Sequence, residues 1–300
     1  MKVSFPARPW TLALTLALPA VAPANPANAA PITGKFVLDG KAVAVREVAA
    51  FRKRDGFNPR QFETYVVLSA TPVDKAAIGE ALDPYVVAIN DPAVMEADHL
   101  AFSVRSNGEV AMNAHVGEVQ YIDTSGVMMG ERGSLVASCK ENTATRVACT
   151  VKTAKPVKSM DGPAWSVDLA FESDVISRPA GKPLPAGGGD PGKALLALRA
   201  AIGGKDLGKI LAHLTPEEAK GYQEDWRSPE ENLASANELL DIHVPKKPKI
   251  TGGESLADDR VLLEVEGDPY GSGKMLYLVE MKRVAGKWLF ASSSPVGLLR

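Results

Sequence analysis

The sequence predicts an α+β protein in two parts. A mostly-β N-terminal part forms a sandwich or partly open barrel with one helix, and a second part places its helices before an antiparallel sheet. Three observations carry this. Residues 32–176 alternate apolar and polar with period two between turn signals. Residues 177–192 hold four prolines and five glycines and no periodicity. From residue 193 the apolar positions recur at helical spacing, then return to period two after about residue 248.

The chain opens with an export signal. Lys2 and Arg8 form a basic start, and no acid precedes Asp39. Trp10 to Leu18 is apolar, and Ala27-Asn28-Ala29 gives the small-x-small exit that signal peptidase reads. Cleavage after Ala29 is favoured over cleavage after Ala30, which would set Pro31 beside the scissile bond. The apolar stretch is about half of the roughly 20 residues that span a bilayer. No cysteine lies near the cut for a lipid anchor, and no later segment is long and apolar enough to span. The expected plan is therefore a signal over 1–29, a mostly-β domain over 30–176, a linker over 177–192 and an α+β domain over 193–300. Losing Lys2 and Arg8 moves the formal charge from −2 to −4. That mild acidity excludes a general nucleic-acid binder, which needs a basic footprint. The expected location is periplasmic or secreted.

The first part opens on a hairpin made by Phe36–Leu38, the turn Asp39-Gly40 and Lys41–Val45. Phe62 to Ala70 is a strand. Thr71-Pro72-Val73-Asp74 caps a helix running to about Leu82, stopped by Pro84. Leu100–Arg105 and Glu109–His115 pair about the turn Ser106-Asn107-Gly108. Matching their apolar faces through this three-residue turn sets Arg105 opposite Glu109 and His99 opposite His115, whereas a two-residue turn would place the two histidines on opposite faces. Two facing histidines can share a metal or sense pH, but a metal wants a third or fourth protein ligand and none is identified. Cys139 and Cys149, the two cysteines of the chain, stand in alternating strands around a turn at Thr143 to Thr145. That places their sulfurs face to face, and an oxidising compartment makes them a disulfide. Last comes a strand whose Trp165, Val167, Leu169 and Phe171 point inward.

The stretch 177–192 contains two decoys. Gly187 to Lys193 matches G-x-x-x-x-G-K, and Gly187, Gly189 and Gly192 match G-x-G-x-x-G. Both motifs bind phosphate only between a buried strand and a helix. Here a proline-rich run precedes them, Ala194 replaces the magnesium-binding hydroxyl, and Pro191 removes a donor. The expectation is that Asp190 caps the next helix and Pro191 opens it.

In the second part, Leu195, Leu198 and Ile202 share one helical face, and Leu207, Ile210, Leu211 and Leu214 another. Thr215-Pro216-Glu217-Glu218 and Ser228-Pro229-Glu230-Glu231 read as capping boxes with proline at the first helical position. Strands are expected at 248–251, 261–266, 274–284 and 287–292. A turn at Ala285-Gly286 sets Met281 against Phe290 and Arg283 against Trp288, the last two as a cation–π pair.

Helices first and then a curled antiparallel sheet, closing on Val284-Ala-Gly-Lys-Trp-Leu-Phe, resemble the NTF2-like (cystatin-like) superfamily over about residues 191–294. The first part, with Gly34-Lys-Phe-Val-Leu-Asp-Gly-Lys and Tyr65-Val-Val-Leu-Ser, is similar to uncharacterised exported bacterial domains, which implies no activity. The NTF2-like resemblance implies a cone whose helices and sheet can enclose a pocket. Some members are isomerases or dehydratases and many only bind. The enzymes use a buried acid–base pair, for which His213, Tyr222, His243, Glu264 and Glu280 are the candidates here. Glu264 faces away from Val261, Leu263 and Val265, toward either cone wall or solvent. No two of the candidates form a convincing dyad.

The sequence contains no G-x-S-x-G, S-x-x-K or H-E-x-x-H and no calcium-loop acid spacing. The expectation is a non-enzymatic protein of the cell envelope that binds a small apolar ligand or an envelope protein. It would use no cofactor and would have no transmembrane segment in the mature chain. The expected pocket is lined by residues such as Leu263, Tyr277, Met281 and Phe290. The alternative is an isomerase- or dehydratase-like enzyme using the same pocket, with Glu264 or His213 pointing inward beside them.

Overall fold

The structure is a computed structural model that describes residues 32–56, 58–117, 119–123, 135–158, 164–223, 226–268 and 273–299. The expected export signal lies outside these residues. The chain runs β1 (Thr33–Leu38), β2 (Lys41–Val43), β3 (Glu47–Asp55), β4 (Asn58–Ser69), α1 (Lys75–Glu80), α2 (Pro84–Ile89), α3 (Pro92–Met95), β5 (His99–Val104), β6 (Val110–Val116) and β7 (Val119–Asp123). It continues through β8 (Leu135–Asn142), β9 (Arg146–Thr153), β10 (Val157–Lys158), β11 (Ala164–Ile176) and β12 (Lys182–Pro183). The last elements are α4 (Gly189–Ala201), α5 (Leu207–Leu211), α6 (Pro216–Lys220), α7 (Pro229–His243), β13 (Lys246–Ala257), β14 (Arg260–Asp268), β15 (Met275–Val284) and β16 (Lys287–Leu298). The protein is α+β and strand-rich, and the described residues form one sheet of eleven strands and one of five.

The larger sheet follows the order β2-β1-β11-β3-β4-β5-β6-β7, with β8, β9 and β10 attached through β9 and β11. β11 makes it curl. Its first part lies antiparallel to β1 and β9, and its last two residues lie parallel to β3, Val175 opposite Ala50 and Ile176 opposite Phe51. One strand thereby joins two leaves, which close on a single apolar core. Trp165, Val167, Leu169 and Phe171 enter it from β11, as their alternation predicts, and meet Ala50, Val66, Phe102 and Met112 from the other leaf.

The hairpins turn where the sequence places them. Asp39 and Gly40 take positive φ of 47° and 76°, the twist a two-residue turn needs between right-twisted strands. Gly108 sits at φ 84° in the turn between β5 and β6, where the Arg105 amide donates to the Glu109 carbonyl at 2.9 Å. Cys139 and Cys149 stand opposite each other and form a disulfide.

Three short helices replace the single one expected. Pro84 does end α1, but it also starts α2, because Asp83 accepts from the amides of Tyr85 and Val86 and caps a new N-terminus. These helices cover the outer face of β3, β4 and β5, packing Val73, Ile78, Ala88 and Val94 on Phe51, Tyr65 and Val67. Burial on both faces explains why Val48–Phe51 and Tyr65–Leu68 read as unbroken apolar runs. Strands β3 and β7 were not foreseen, and β4 is longer than expected.

The smaller sheet runs β12-β13-β14-β15-β16, antiparallel throughout. Residues 177–192, expected to lack regular structure, contribute to it. Lys182 and Pro183 pair with Ser255 and Glu254, a 3-10 turn spans Ala186–Gly188, and α4 begins at Gly189. Asp190 lies in the first turn of α4 and pairs with Lys193 at 2.9 Å, so it is not the cap. Two of the glycines serve close packing. A Cβ on Gly188 would stand 2.8 Å from Leu263, and one on Gly192 would stand 1.9 Å from the Gly187 carbonyl oxygen. The phosphate-loop pattern is thus the footprint of a strap pressed against a sheet.

Ser228 and Glu231 form a complete capping box, but Thr215 and Glu218 form only half of one. The Thr215 hydroxyl accepts from the Glu218 amide. The Thr215 amide instead donates to the Phe290 carbonyl at 2.8 Å, and the Glu218 carboxylate takes the Tyr222 hydroxyl. Tertiary pairing with β16 has claimed the donor that the box would use. The final hairpin turns at Ala285 and Gly286, both at positive φ, with Met281 opposite Phe290 and Arg283 opposite Trp288. The Arg283 guanidinium reaches the Gly286 carbonyl, and the cation–π contacts among the described residues do not include it with Trp288.

Candidate functional site

Strand alternation gives the smaller sheet two faces with different tasks. Val261, Leu263 and Val265 on β14 point toward α4–α7, together with Tyr277, Val279 and Met281 on β15. The four residues expected to line a pocket converge there: Leu263 is 0% exposed, and Tyr277, Met281 and Phe290 are each 1% exposed. They share one core with Leu195, Leu198, Ile210 and Leu240 from the helices. Phe290 is also pinned by its backbone, donating to His213 and accepting from Thr215, both at 2.8 Å. These side chains fill the space between helices and sheet.

The other face of the same sheet carries Leu262, Glu264, Glu266, Leu278 and Glu280, and it meets the larger sheet. Arg54 on β3 pairs with Glu264, and Arg60 on β4 pairs with Glu266 at 2.8 Å. The Ser294 hydroxyl on β16 donates to Asp83 at 2.9 Å. Backbones come close as well, since a Cβ on Gly297 would stand 2.7 Å from the Gly56 carbonyl oxygen. Glu264, left between cone wall and solvent by the sequence, therefore faces the first part of the chain.

A cleft of about 500 Å³ opens beside these contacts. The parallel pairing of β11 with β3 ends at Phe51, and the next three residues, Arg52, Lys53 and Arg54, line the cleft. Phe62 on β4, the Ala81–Pro84 bend between α1 and α2, and Arg178 and Pro183 from the strap form further walls. Leu262, Leu278 and Val296 give an apolar floor from the smaller sheet.

The cleft has four cationic side chains, Arg52, Lys53, Arg54 and Arg178, and three acidic ones, Asp83, Glu254 and Glu264. Most are spoken for. Lys53 pairs with the buried Glu63 at 2.9 Å and lies over the rings of Tyr65 and Tyr85. Arg54 holds Glu264. Arg178 holds Glu254 through one nitrogen, and the Gly181 amide donates to the same carboxylate at 2.7 Å. Asp83 caps α2 and takes the Ser294 hydroxyl. Arg52 is different. Its guanidinium makes one long bond, 3.4 Å, to the Phe62 carbonyl and lies 5.8 Å from that ring. The ion pairs among the described residues do not include it. Burial holds its pKa below the ordinary arginine value, whereas Glu172 beside Arg146 holds that one above it. Nη1 of Arg178 is closed off from solvent and has no acceptor among the described residues.

The five candidate catalytic residues are dispersed. Tyr222 donates to Glu218, and burial, then the Glu218 charge, raise its pKa. Glu280 is buried and bound by Arg260 and by the Ser292 hydroxyl. Glu264 is taken by Arg54. Burial lowers the His213 pKa, and the carbonyl of that residue serves β16. The His243 carbonyl accepts from Ser293. The hydrogen bonds among the described residues join no two of the five.

His99 and His115 do face each other, in register and with their rings stacked at 5.5 Å between centroids. Burial lowers the His99 pKa, its bond with the Ala97 carbonyl opposes this, and His115 adds to the lowering. No group of three or more metal-binding side chains occurs among the described residues.

No family model and no curated protein matches the chain. One solved structure with similarity is described as an NTF2-like protein involved in plasmid conjugation. It is 11% identical, with a TM-score of 0.23, over 54% of this chain and 75% of that one. A likeness of that size carries no argument about this protein.

Sequence reading missed Arg52, Arg54 and Arg178. A signal for the first two was present: Glu47-Val-Ala-Ala-Phe ends in the basic run Arg52-Lys-Arg, where an apolar strand runs out of its sheet. Arg178 stood in a segment read as linker.

Proposed function

We propose that this chain is an exported, non-enzymatic binding protein of the cell envelope, and that its ligand or partner occupies the cleft between the two sheets. The observation that carries the reading is the cleft itself. Its volume falls within the roughly 300–1,000 Å³ of small-molecule sites, and its walls combine an apolar floor with a few fixed charges. The second part of the chain is read as NTF2-like, from its order of helices and then a curled sheet. The space such folds use as a pocket between helices and sheet is filled here by Leu263, Tyr277, Met281 and Phe290, which favours the opposite face in this reading. The enzyme reading loses support because three of the five candidate acids and bases, Glu264, Glu280 and Tyr222, are engaged in separate structural pairs.

Export rests on residues 1–29. A disulfide between Cys139 and Cys149 suits an oxidising compartment, and no helix among the described residues is long and apolar enough to cross a membrane. The test is to purify the protein from the periplasm and weigh it under native and then denaturing conditions. The reading expects an N-terminus at Ala30, a chain two hydrogens light, and extra mass lost on denaturation. An intact N-terminus with free thiols would sink the export claim, and a bare chain that yields no cleft-bound partner on crosslinking would sink the binding claim.

A further inference from the structure

We infer that the cleft binds an organic anion with an apolar body, a carboxylate on a short hydrocarbon, its acid group held by Arg52. The inference rests on the binding role proposed above and names the chemistry of the ligand.

The charge pairing carries the argument. Lys53, Arg54 and Arg178 each already hold a carboxylate, and Asp83, Glu254 and Glu264 each already have donors. Among the described residues Arg52 is the cleft cation with no carboxylate partner, its guanidinium partly withdrawn from water, while the Asp83 carboxylate, which has no cation there, is held by the Tyr85 and Val86 amides and the Ser294 hydroxyl. A guanidinium in that setting lacks both full hydration and a counter-ion, and an incoming carboxylate supplies the counter-ion in the planar, two-toothed geometry that arginine matches best.

The rest of the cleft selects against a small inorganic ion. Phe62, which is 41% exposed, and the half-buried Val296 present apolar surface beside the buried Leu262 and Leu278, and water covers it at a cost until a hydrocarbon replaces it. An inorganic anion would leave that surface wet, and an uncharged hydrocarbon would leave Arg52 unpaired. The anchored head and apolar body together use the whole site.

The experiment is calorimetric titration of the mature protein with decanoate, decanol and inorganic phosphate, repeated on Arg52→Ala and Arg52→Lys. Thermal melts establish that both variants are folded, and hydrogen exchange locates the bound probe. Decanoate is expected to bind at least about tenfold more tightly than decanol, with phosphate undetectable. Arg52→Ala is expected to remove that advantage, and Arg52→Lys to keep part of it. Exchange protection is expected on Arg52–Arg54 and Leu262–Glu264. Equal binding of decanoate and decanol at the cleft, unchanged by Arg52→Ala, overturns the anion and leaves the binding cleft standing. Tight phosphate binding overturns the apolar body. Probes that bind without protecting the cleft, or that fail to bind, overturn the ligand class, and protection mapped to α4–α7 would overturn the proposed site as well.

Discussion

Replacing Gly192 by alanine separates the two meanings of the Gly187–Lys193 pattern. In the structure the added Cβ would stand 1.9 Å from the Gly187 carbonyl oxygen and 2.9 Å from the Ile250 side chain. Ordinary carbon–oxygen contact lies more than about 1 Å further out, so the strap, or the first turn of α4, must move off β13. Strain of this kind in a packed site costs about 1–3 kcal/mol. At roughly 2–4 °C per kcal/mol for a domain of this size, the midpoint should fall by about 2–12 °C. Lys193→Ala is the control, since that side chain is 79% exposed and pairs only with Asp190 at the surface. It should shift the midpoint by less than about 1 °C. In a nucleotide-binding loop the order of importance reverses: the lysine carries affinity, and both variants would lower binding of ATP. A thermal melt of both variants, with and without ATP, decides. Gly192→Ala melting within about 1 °C of wild type, or any stabilisation by ATP that Lys193→Ala abolishes, would refute the packing argument.

Three further outcomes rest on the structure. Phe290→Ala should lose about 3–5 kcal/mol in chemical denaturation, because the ring is closed in one core with Leu195, Ile210, Leu214 and Leu240; a loss under about 1 kcal/mol would mean that the helical face has room to spare. Reducing the Cys139–Cys149 disulfide releases a loop ten residues in separation, and should cost a little under about 3 kcal/mol in the chain-entropy model; equal midpoints with and without reductant would contradict it. His99 holds its proton less readily when folded than when unfolded, so the unfolded chain takes up protons first and stability is lost as pH falls below about 6.5. Melts at about pH 7.5 and about pH 5.5, on either side of that value, should show a smaller loss for His99→Gln than for wild type. An equal loss would place the acid sensitivity elsewhere, with His213, shifted the same way by burial, the next residue to replace.

The parts of the fold governed by local rules were legible in the residues. Asp39-Gly40 and Ala285-Gly286 turn where expected, His99 meets His115, Met281 meets Phe290, and Cys139 meets Cys149. Each rests on period-two alternation plus one turn, and both are written in adjacent residues. What escaped depends on long-range partners. Strand β3 carries both Val48–Phe51, buried on two faces, and a charged end, so it shows no clean alternation. Lys182–Pro183 becomes a strand only because β13 offers an edge. Pro84 reads as a stop until Asp83 is seen to cap a second helix, α2. The site was illegible for the same reason. Leu263, Tyr277, Met281 and Phe290 were correctly seen on one apolar face, but periodicity does not distinguish a lined cavity from a filled one. The cleft joins β3, the α1–α2 bend, the strap and the far face of the smaller sheet, segments up to about 240 residues apart in sequence. Which arginine lacks a carboxylate is decided only after every ion pair across that junction has formed.

Binding at the cleft face of the smaller sheet, and not at its helical face, is the central proposal. The direct measurement is amide hydrogen exchange of the mature protein, with and without the tighter-binding of decanoate and decanol at saturation. Binding in the cleft should slow exchange at Arg52–Arg54, Gly253–Glu254 and Leu262–Glu264 and leave α4–α7 unchanged. Protection along α4–α7 and at Phe290, with the cleft strands unaffected, would contradict it.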